Sequence, residues 1–294
     1  MKPLFTFTSI FFLSLLSLFG QELSPYWDEL TSSDFSLAVE QSDGVCVVPI
    51  GVIEKHGQHL PLGSDVYAAR EICRRATEQE YCIIYPYYFM GQIFEAKHQP
   101  GTIAYSSELL LRLLDETCAE ISRNGIKKII IVNGHGGNLA LTQYFCQIQL
   151  ATPRDYAVYA IFPSVSSDDI QQKIKEMRKT TTGGHADEVE ASVMMAIRPD
   201  LVKIEEATNE SGDDQEQLQD LPHVFTGIKW YSQYPNHYAG DARYATPEIG
   251  ELSLEGCTQQ LVEIIKAVKA DETTISLQNE FFNESQLPLK TKVK

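Results

Sequence analysis

The chain has 294 residues, of which 43% are hydrophobic and 22% are charged, a balance that supports a large buried core and excludes intrinsic disorder. The 40 Asp and Glu residues outnumber the 24 Lys and Arg residues, which gives a formal net charge of −16. Nucleic acids and anionic membranes attract clustered positive charge, so we expect neither as a partner.

Residues 1–20 have the pattern of a secretory signal peptide. Lys2 supplies one positive charge, an apolar stretch runs from Leu4 to Phe19, and Gly20 suits a cleavage site. An uncleaved membrane anchor is the alternative, although the stretch is short for a membrane span. We therefore predict a protein that is exported by the secretory route to the periplasm or the exterior and does not contact the membrane after cleavage.

Beyond residue 20, short apolar runs alternate with helical periodicity. The runs predict strands at residues 44–50, 82–87, 128–133 and 157–162. The periodicity predicts helices at residues 65–79, 108–123, 138–150, 168–179 and 247–270. Such alternation implies an α/β fold with a parallel sheet that helices cover on both faces, and ligands of such sheets bind at the carboxyl ends of the strands. The loops after Ile50, Tyr87 and Val132 are thus the expected places for chemistry.

The remaining segments carry weaker signals. Residues 205–220 hold seven acidic and no basic residues, which favours a solvated loop over a metal site. No internal repeat or clear linker divides the chain, so we predict a single domain at residues 21–270 and a loosely held C-terminal tail at residues 271–294. The six cysteines form no CxxC pair, which favours buried thiols over a disulfide scaffold, although one disulfide stays possible.

The first candidate cluster follows the strand at residues 44–50. Glu54 and His56 are two residues apart, so in an extended segment their side chains project to the same side. Asp65 follows at the expected start of a helix, where an N-cap is its alternative role. One imidazole with two carboxylates suits zinc, manganese or iron. For the nearby His59 we prefer a packed or supporting role.

The second cluster is the NGHGGN motif at residues 133–138, at the carboxyl end of the most apolar strand. Its glycines permit a sharp turn, and Asn138 can cap the next helix. The motif lacks the spacing of phosphate-binding and dinucleotide-binding loops. Because His135 is expected at the same sheet edge as Glu54 and His56, it is a candidate ligand, with a packed side chain as the alternative.

The third cluster lies in the run GGHADEVEASVMM at residues 183–195. If a helix begins near Asp187, its buried stripe comprises Val189, Val193 and Ala196. Glu190 lies beside that stripe, where a carboxylate must be paired, protonated or bound to metal, unless it faces solvent. His185 precedes the helix and is free to face a pocket.

Together these motifs resemble the creatininase (creatinine amidohydrolase) family. The runs VPIGVIEKHGQHLPLGSD, IIIVNGHGGN and HADEVEASVMM occur in the family's order and spacing, and residues 237–246 resemble its C-terminal glycine/aspartate element. The resemblance covers roughly residues 49–250. It implies a three-layer α/β/α sandwich with a mostly parallel sheet, a divalent-metal centre, hydrolysis of amide-type C–N bonds, and a homo-oligomer that is often a hexamer.

The resemblance also assigns the metal ligands. The residues that match the family's ligands are Glu54, His56, Asp65 and His135, with Asp65 in the bridging position. Creatininases proper follow that histidine with a tyrosine and a metal-binding glutamate, where this chain has Gly136 and Gly137. Counting ligands then favours Glu190 as the fifth, as in family members with the glycine-rich motif, and completes a site for two ions.

We therefore predict a hydrolase in which one or two ions of Zn, Mn or Fe provide hydroxide for attack on a small amide, cyclic or open. His185 is predicted as the catalytic residue that protonates the departing nitrogen or stabilises the tetrahedral intermediate, and Glu188 as a residue that orients it. Creatininases proper have a Trp-Asp pair at the position of Thr181 and Thr182, which argues against creatinine as the substrate.

Two alternatives stay open. The first is a hydrolase of the same fold that acts on a formamide, a lactone-like ring, a peptide or a carbon–carbon bond. The second is an exported metal-binding or carbohydrate-binding protein without turnover, for which aromatic side chains would stack on sugars. These side chains are Trp230, Tyr231, Tyr234 and Tyr238.

Overall fold

The computed structural model describes residues 23–221 and 223–291, so the predicted signal peptide lies outside the described residues. Four parallel strands form one sheet in the order β2-β1-β3-β4. They are β1 (Val45–Ile50), β2 (Ile83–Ile84), β3 (Lys128–Asn133) and β4 (Ala157–Ile161). The α-helices of the described residues are α1 (Ser32–Gln41), α2 (Ser64–Thr77), α3 (Ser107–Arg123), α4 (Leu139–Ile148), α5 (Asp168–Met177), α6 (Glu188–Ile197), α7 (Lys229–Gln233), α8 (Pro247–Ala270) and α9 (Thr273–Ser285).

Side chains of the two central strands alternate between two apolar layers. Val45 and Val47 of β1 pack in a cluster with buried residues of α2 and α8, whereas Cys46, Val48 and Ile50 pack in another with residues of α1, α3 and α4. Successive residues of a strand face opposite sides, so each strand fills both layers. The predicted three-layer α/β/α sandwich with a parallel sheet is confirmed.

Glycines bring the start of α2 against the sheet edge. A Cβ at Gly51 would lie 2.7 Å from the backbone nitrogen of Val66, and a Cβ at Gly134 would lie 2.5 Å from the backbone oxygen of Asp65. Gly51 directly follows β1 and Gly134 directly follows β3, and the Gly134 nitrogen donates to the Ile50 oxygen at 2.8 Å. Because both positions lack a side chain, α2 begins in direct backbone contact with the ends of the two strands. This contact places Asp65 at the carboxyl edge of the sheet.

The structure differs from the sequence-based expectations at several elements. The strand predicted at residues 82–87 is limited to Ile83–Ile84, which pairs with β1 on one side and forms only an isolated bridge with Tyr26 on the other. Helix α1, which the sequence analysis did not predict, precedes β1. The segment predicted as a loose tail contains α9, whose Phe282 is buried and whose Gln278 Nε2 donates to the Tyr156 oxygen at 2.9 Å.

The cysteines behave as small apolar residues, as predicted. All six are free, and all but Cys146 are buried. Among the described residues, no helix combines the length and the apolarity that crossing a membrane requires.

The contact between α6 and α8 gives a test of the packing. A Cβ at Gly250 would lie 2.0 Å from the Ser192 oxygen, a backbone atom that cannot move without shifting α6. We expect Gly250→Ala to lower the free energy of unfolding by about 1–3 kcal/mol. Gly227→Ala is the matched control, because a Cβ there meets nothing within 4 Å. Chemical denaturation of both variants checks this; equal stability would contradict the packing described.

Candidate metal centre

Glu54 and His56 lie in a tight loop after β1. The Glu54 nitrogen donates to the Leu62 oxygen at 3.0 Å, and His56 pairs with Leu60 in an isolated antiparallel bridge. The side chains of both residues are fully buried. The loop therefore holds a carboxylate and an imidazole, neither of them in contact with solvent, at the carboxyl edge of the sheet.

Glu54, Asp65 and His135 form the first group of side chains close enough to share one cation. Nδ1 of His135 lies 2.8 Å from Glu54 Oε1 and 3.1 Å from Asp65 Oδ2. Both oxygens thus depend on the single Nδ1 of His135, which carries at most one hydrogen, so at least one of them lacks a donor. Buried polar atoms without partners are rare, because their desolvation is not compensated. A cation between the three side chains would compensate it.

His56, His185 and Glu190 form the second group. Nδ1 of His56 lies 3.2 Å from the backbone oxygen of Glu54 and donates to it, so the lone pair of the uncharged ring is on Nε2. Nε2 of His185 lies 2.8 Å from the Lys55 oxygen and donates to it, which leaves the lone pair on Nδ1, 3.9 Å from Glu190 Oε2. The lone pair on His56 Nε2 faces Asp65 Oδ1 at 3.2 Å, a contact that requires a proton or a cation between the two atoms.

Asp65 connects the two groups. Its Oδ1 lies 3.2 Å from His56 Nε2, and its Oδ2 lies 3.1 Å from His135 Nδ1. One oxygen thus faces each group, which is the arrangement expected of a carboxylate that bridges two ions. The structure brings all five predicted ligands to one place, and it brings the predicted catalytic residue His185 there with them.

The charges of this cluster balance one another. Burial would raise the pKa of Glu54, but the adjacent His135 and His185 outweigh it and hold that pKa well below its usual range. Burial would likewise lower the pKa of His56, yet the neighbouring Asp65 raises it to about 9. Burial lowers the pKa of His185 to about 3, so this ring is uncharged at neutral pH. The carboxylates that attract protons to His56 attract a divalent cation in the same way.

A third group adds a histidine to which the sequence analysis gave no role. His237 is buried, its Nε2 contacts Glu54 Oε2, and its ring lies 4.6 Å from that of His185 between centroids. It lies in the segment at residues 237–246 that resembles the family's C-terminal element. Four of the chain's seven histidines therefore meet at this edge, a convergence that the sequence could not reveal because His237 is distant along the chain.

The structure places Glu188 outside this cluster. Its buried carboxylate accepts hydrogen bonds from the Lys179 nitrogen at 2.9 Å and from the Thr180 nitrogen and hydroxyl at 2.8 and 2.7 Å. It belongs to none of the three groups. Glu188 therefore fixes the segment that leads to His185, and its predicted orienting role stays a prediction.

Neither of the two side chains that the sequence suggested as possible helix caps has that role. Helix α2 begins at Ser64, so Asp65 lies inside it and is not its N-cap. Asn138 makes no side-chain cap, because its Oδ1 accepts a hydrogen bond from the Gln92 nitrogen at 2.8 Å. Asp187 caps α6 by accepting from the Val189 and Glu190 nitrogens. The buried stripe of α6 also differs from the prediction, since it comprises Glu188, Ala191, Ser192 and Met194.

A cavity of about 240 Å³ adjoins the second group. Its polar end is formed by His56, Asp65 and Glu190, and most of its other walls are apolar. The apolar walls include Ile72, Phe162, Val193, Met194 and Leu254. A concave, largely apolar space with a few converging polar groups is the usual form of a small-molecule site.

The family is settled by comparison with known proteins. The sequence profile of the creatininase family, described as creatinine amidohydrolase, matches residues 28–265. This chain belongs to the creatininase family. A creatinine amidohydrolase of Pseudomonas putida is 26% identical over 265 residues, which cover 83% of this chain and 96% of that protein. A 3-dehydro-scyllo-inosose hydrolase of Thermotoga maritima is 22% identical over 278 residues, 83% of each chain.

Solved creatininase structures share the fold. One crystal structure of creatinine amidohydrolase superposes with a TM-score of 0.71 at 23% identity and covers 85% of this chain and 100% of its own. Among the similar structures, a manganese form has a TM-score of 0.70 at 22% identity, covering 84% of this chain and 100% of its own. At this level of identity the likeness demonstrates the fold alone.

The glycine-rich motif of this creatininase-family member makes room for His135. A Cβ at Gly137 would lie 2.5 Å from His135 Nε2 and 2.9 Å from Glu95 Oε1. A Cβ at the adjacent Gly136 would meet nothing within 4 Å. Position 137, where creatininases proper have a glutamate, is thus a place where this chain tolerates no side chain unless the imidazole moves.

These two neighbouring glycines provide a matched pair of variants. We expect Gly137→Ala to displace the His135 ring and weaken Zn²⁺ binding by about 10-fold or more, on the scale of other changes that misorient a ligand. Gly136→Ala should leave the affinity unchanged. Competition with a chromophoric chelator measures both affinities. Equal affinities of the two variants would show that the His135 ring is not confined as described.

Proposed function

We propose that this chain is a divalent-metal-dependent amidohydrolase that cleaves a C–N bond of a small amide, cyclic or open. The observation that carries the proposal is the burial of Glu54, Asp65 and His135 around one point, where one oxygen of each carboxylate meets the same ring nitrogen. Such a set of carboxylate and imidazole ligands fits zinc, manganese or iron. Membership of a family of metal-dependent amidohydrolases supports it, as do the related structures in a manganese form and in a zinc–zinc form.

Glu54, Asp65 and His135 would hold one cation. His56 and Glu190 would hold a second, with Asp65 between the two. Bound there, divalent cations lower the pKa of water towards neutrality and polarise the carbonyl of an amide. The apolar walls of the adjoining cavity bind the substrate and exclude bulk water from the reacting groups.

His185 is the residue placed to move a proton. Its Nε2 hydrogen is fixed on the Lys55 oxygen, so Nδ1 is the atom that accepts the proton of the attacking water. The same atom then gives that proton to the departing nitrogen. The low pKa of this buried ring leaves Nδ1 unprotonated at neutral pH and makes the ring, once protonated, a strong acid towards the departing nitrogen. This mechanism adds a proton-accepting step of His185 to the proton donation that was predicted from the amino-acid sequence.

Creatinine is not the substrate that the chain favours. Where creatininases proper have a Trp-Asp pair, this chain has Thr181 and Thr182, both of which are exposed. Gly136 and Gly137 likewise occupy the positions where those enzymes have a tyrosine and a glutamate. We therefore propose a different small amide. A formamide or a short peptide is an alternative within the family, since a mycofactocin precursor peptide peptidase of Mycobacterium tuberculosis is 33% identical over 133 residues, 40% of this chain and 51% of that protein.

Export, homo-oligomer formation and the number of ions stay predictions. The predicted alternative of a metal-binding protein without turnover differs from the proposal in a measurable way. A binder needs the ligands but has no use for a proton acceptor at His185.

The proposal is tested by assaying the protein against cyclic ureas, formamides and short peptides, with and without Zn²⁺ or Mn²⁺. We expect hydrolysis of at least one amide class, loss of activity after chelation, and recovery when the metal is returned. His135→Ala should lose bound metal and at least about 100-fold of the activity, because it removes a ligand. The exposed His223, which is in none of the three groups, gives the control variant His223→Ala.

Two outcomes would contradict this assignment. Full metal content in His135→Ala would exclude His135 as a ligand. Undiminished activity after complete removal of metal would exclude a metal-dependent reaction.

A further inference from the structure

His237 has a backbone conformation that few residues other than glycine adopt. Its φ is +53°, in the left-handed region, although its side chain is almost completely buried. A side chain there crowds the backbone, so a histidine is less favourable than a glycine would be. The contacts of the ring must offset this cost.

Each ring nitrogen of His237 has a partner. Nε1 of Trp230 donates a hydrogen bond to Nδ1 at 3.1 Å, and Nε2 contacts Oε2 of Glu54. An indole nitrogen can only donate, so Nδ1 must be the acceptor and the ring hydrogen must be on Nε2. Trp230 therefore selects the tautomer in which His237 donates to Glu54.

This tautomer excludes His237 as a ligand of a cation. An uncharged imidazole binds metal through the nitrogen that has the lone pair, and in His237 that nitrogen is occupied by Trp230. Glu54, His185 and His237 are close enough to share a cation. At that point, however, His237 presents a hydrogen where a ligand would present a lone pair.

We propose that His237 is a positioning residue that holds the carboxylate of Glu54 in the orientation that binds a cation, and that Trp230 sets its tautomer. The proposal rests on the cation site of the proposed function but not on the reaction. With Oε2 held by His237, Oε1 is directed to the point it shares with Asp65 Oδ2 and His135 Nδ1. A hydrogen bond to a ligand carboxylate limits its rotation, and losing such a bond typically weakens metal binding by about 10–100-fold.

Two substitutions at His237 separate the roles of its two nitrogens. In His237→Gln, the amide nitrogen lies near the former Nε2 and can donate to Glu54. In His237→Asn, the amide oxygen lies near the former Nδ1 and can accept from Trp230, but nothing reaches Glu54. Asparagine also tolerates a positive φ better than glutamine does. Comparing the two variants therefore separates the effect of the hydrogen bond to Glu54 from the effect of backbone stability.

Zn²⁺ affinity, measured by competition with a chromophoric chelator, and thermal unfolding of the metal-free protein are compared for the whole chain. We expect His237→Asn to bind Zn²⁺ about 10–100-fold more weakly than the unsubstituted protein, and His237→Gln to stay within about threefold of it. We also expect His237→Asn to unfold at a temperature no lower than His237→Gln does. The order of affinity would then be opposite to the order of stability.

Several results would overturn the proposal. If the ring only fills space, affinity follows stability, and His237→Asn binds Zn²⁺ at least as well as His237→Gln. If His237 is a ligand, both variants lose affinity equally, and the Co²⁺ absorption spectrum changes in both. A hydrogen on Nδ1 of His237 in ¹⁵N-histidine spectra of the metal-free protein would also refute it. None of these measurements requires turnover, so failure to hydrolyse any amide would count against the proposed function alone.

Discussion

Two carboxylates, Glu54 and Asp65, are buried side by side, and the rest of the site depends on what balances their charge. Burying like charges is prohibitive unless positive charge lies between them. His135 contacts both carboxylates, and His56 contacts Asp65 on its other oxygen. The imidazoles serve as counter-charges when protonated and as ligands when not. The same constellation therefore attracts divalent cations, and the backbone contact of α2 with Gly51 and Gly134 holds it together.

Most of the fold could be predicted because its central elements have strong periodic signals. The strand at residues 128–133 and the helix at residues 247–270 match the observed bounds, since one is almost wholly apolar and the other has a Pro at its start and a long amphipathic pattern. Edge elements could not be predicted as well. Strand β2 pairs with β1 on one side and forms only an isolated bridge with Tyr26 on the other, and the Gln278 side chain of α9 donates to the Tyr156 oxygen. A local sequence pattern contains neither partner.

The candidate site could be predicted only as far as its motifs are local. Glu54, His56 and His135 lie in the loops after two strands, so the topology places them together, and the family resemblance assigned ligand roles to Asp65 and Glu190. The roles of Glu188 and His237 depend on hydrogen bonds between segments that are separated along the chain. Glu188 is occupied by the Lys179–Thr180 backbone, and His237 reaches Glu54 from 183 positions along the chain. No sequence pattern reports such partners, because their proximity is a product of tertiary packing.

Anomalous X-ray diffraction at the zinc absorption edge, from crystals grown with Zn²⁺, tests the central claim most directly. The account predicts a strong peak bounded by Glu54, Asp65 and His135, with any second peak on the side of Asp65 that faces His56 and Glu190. Zinc that is bound at the acidic segment of residues 205–220 and absent from the buried carboxylates would contradict it, because the charge balance of the cluster would then need no cation.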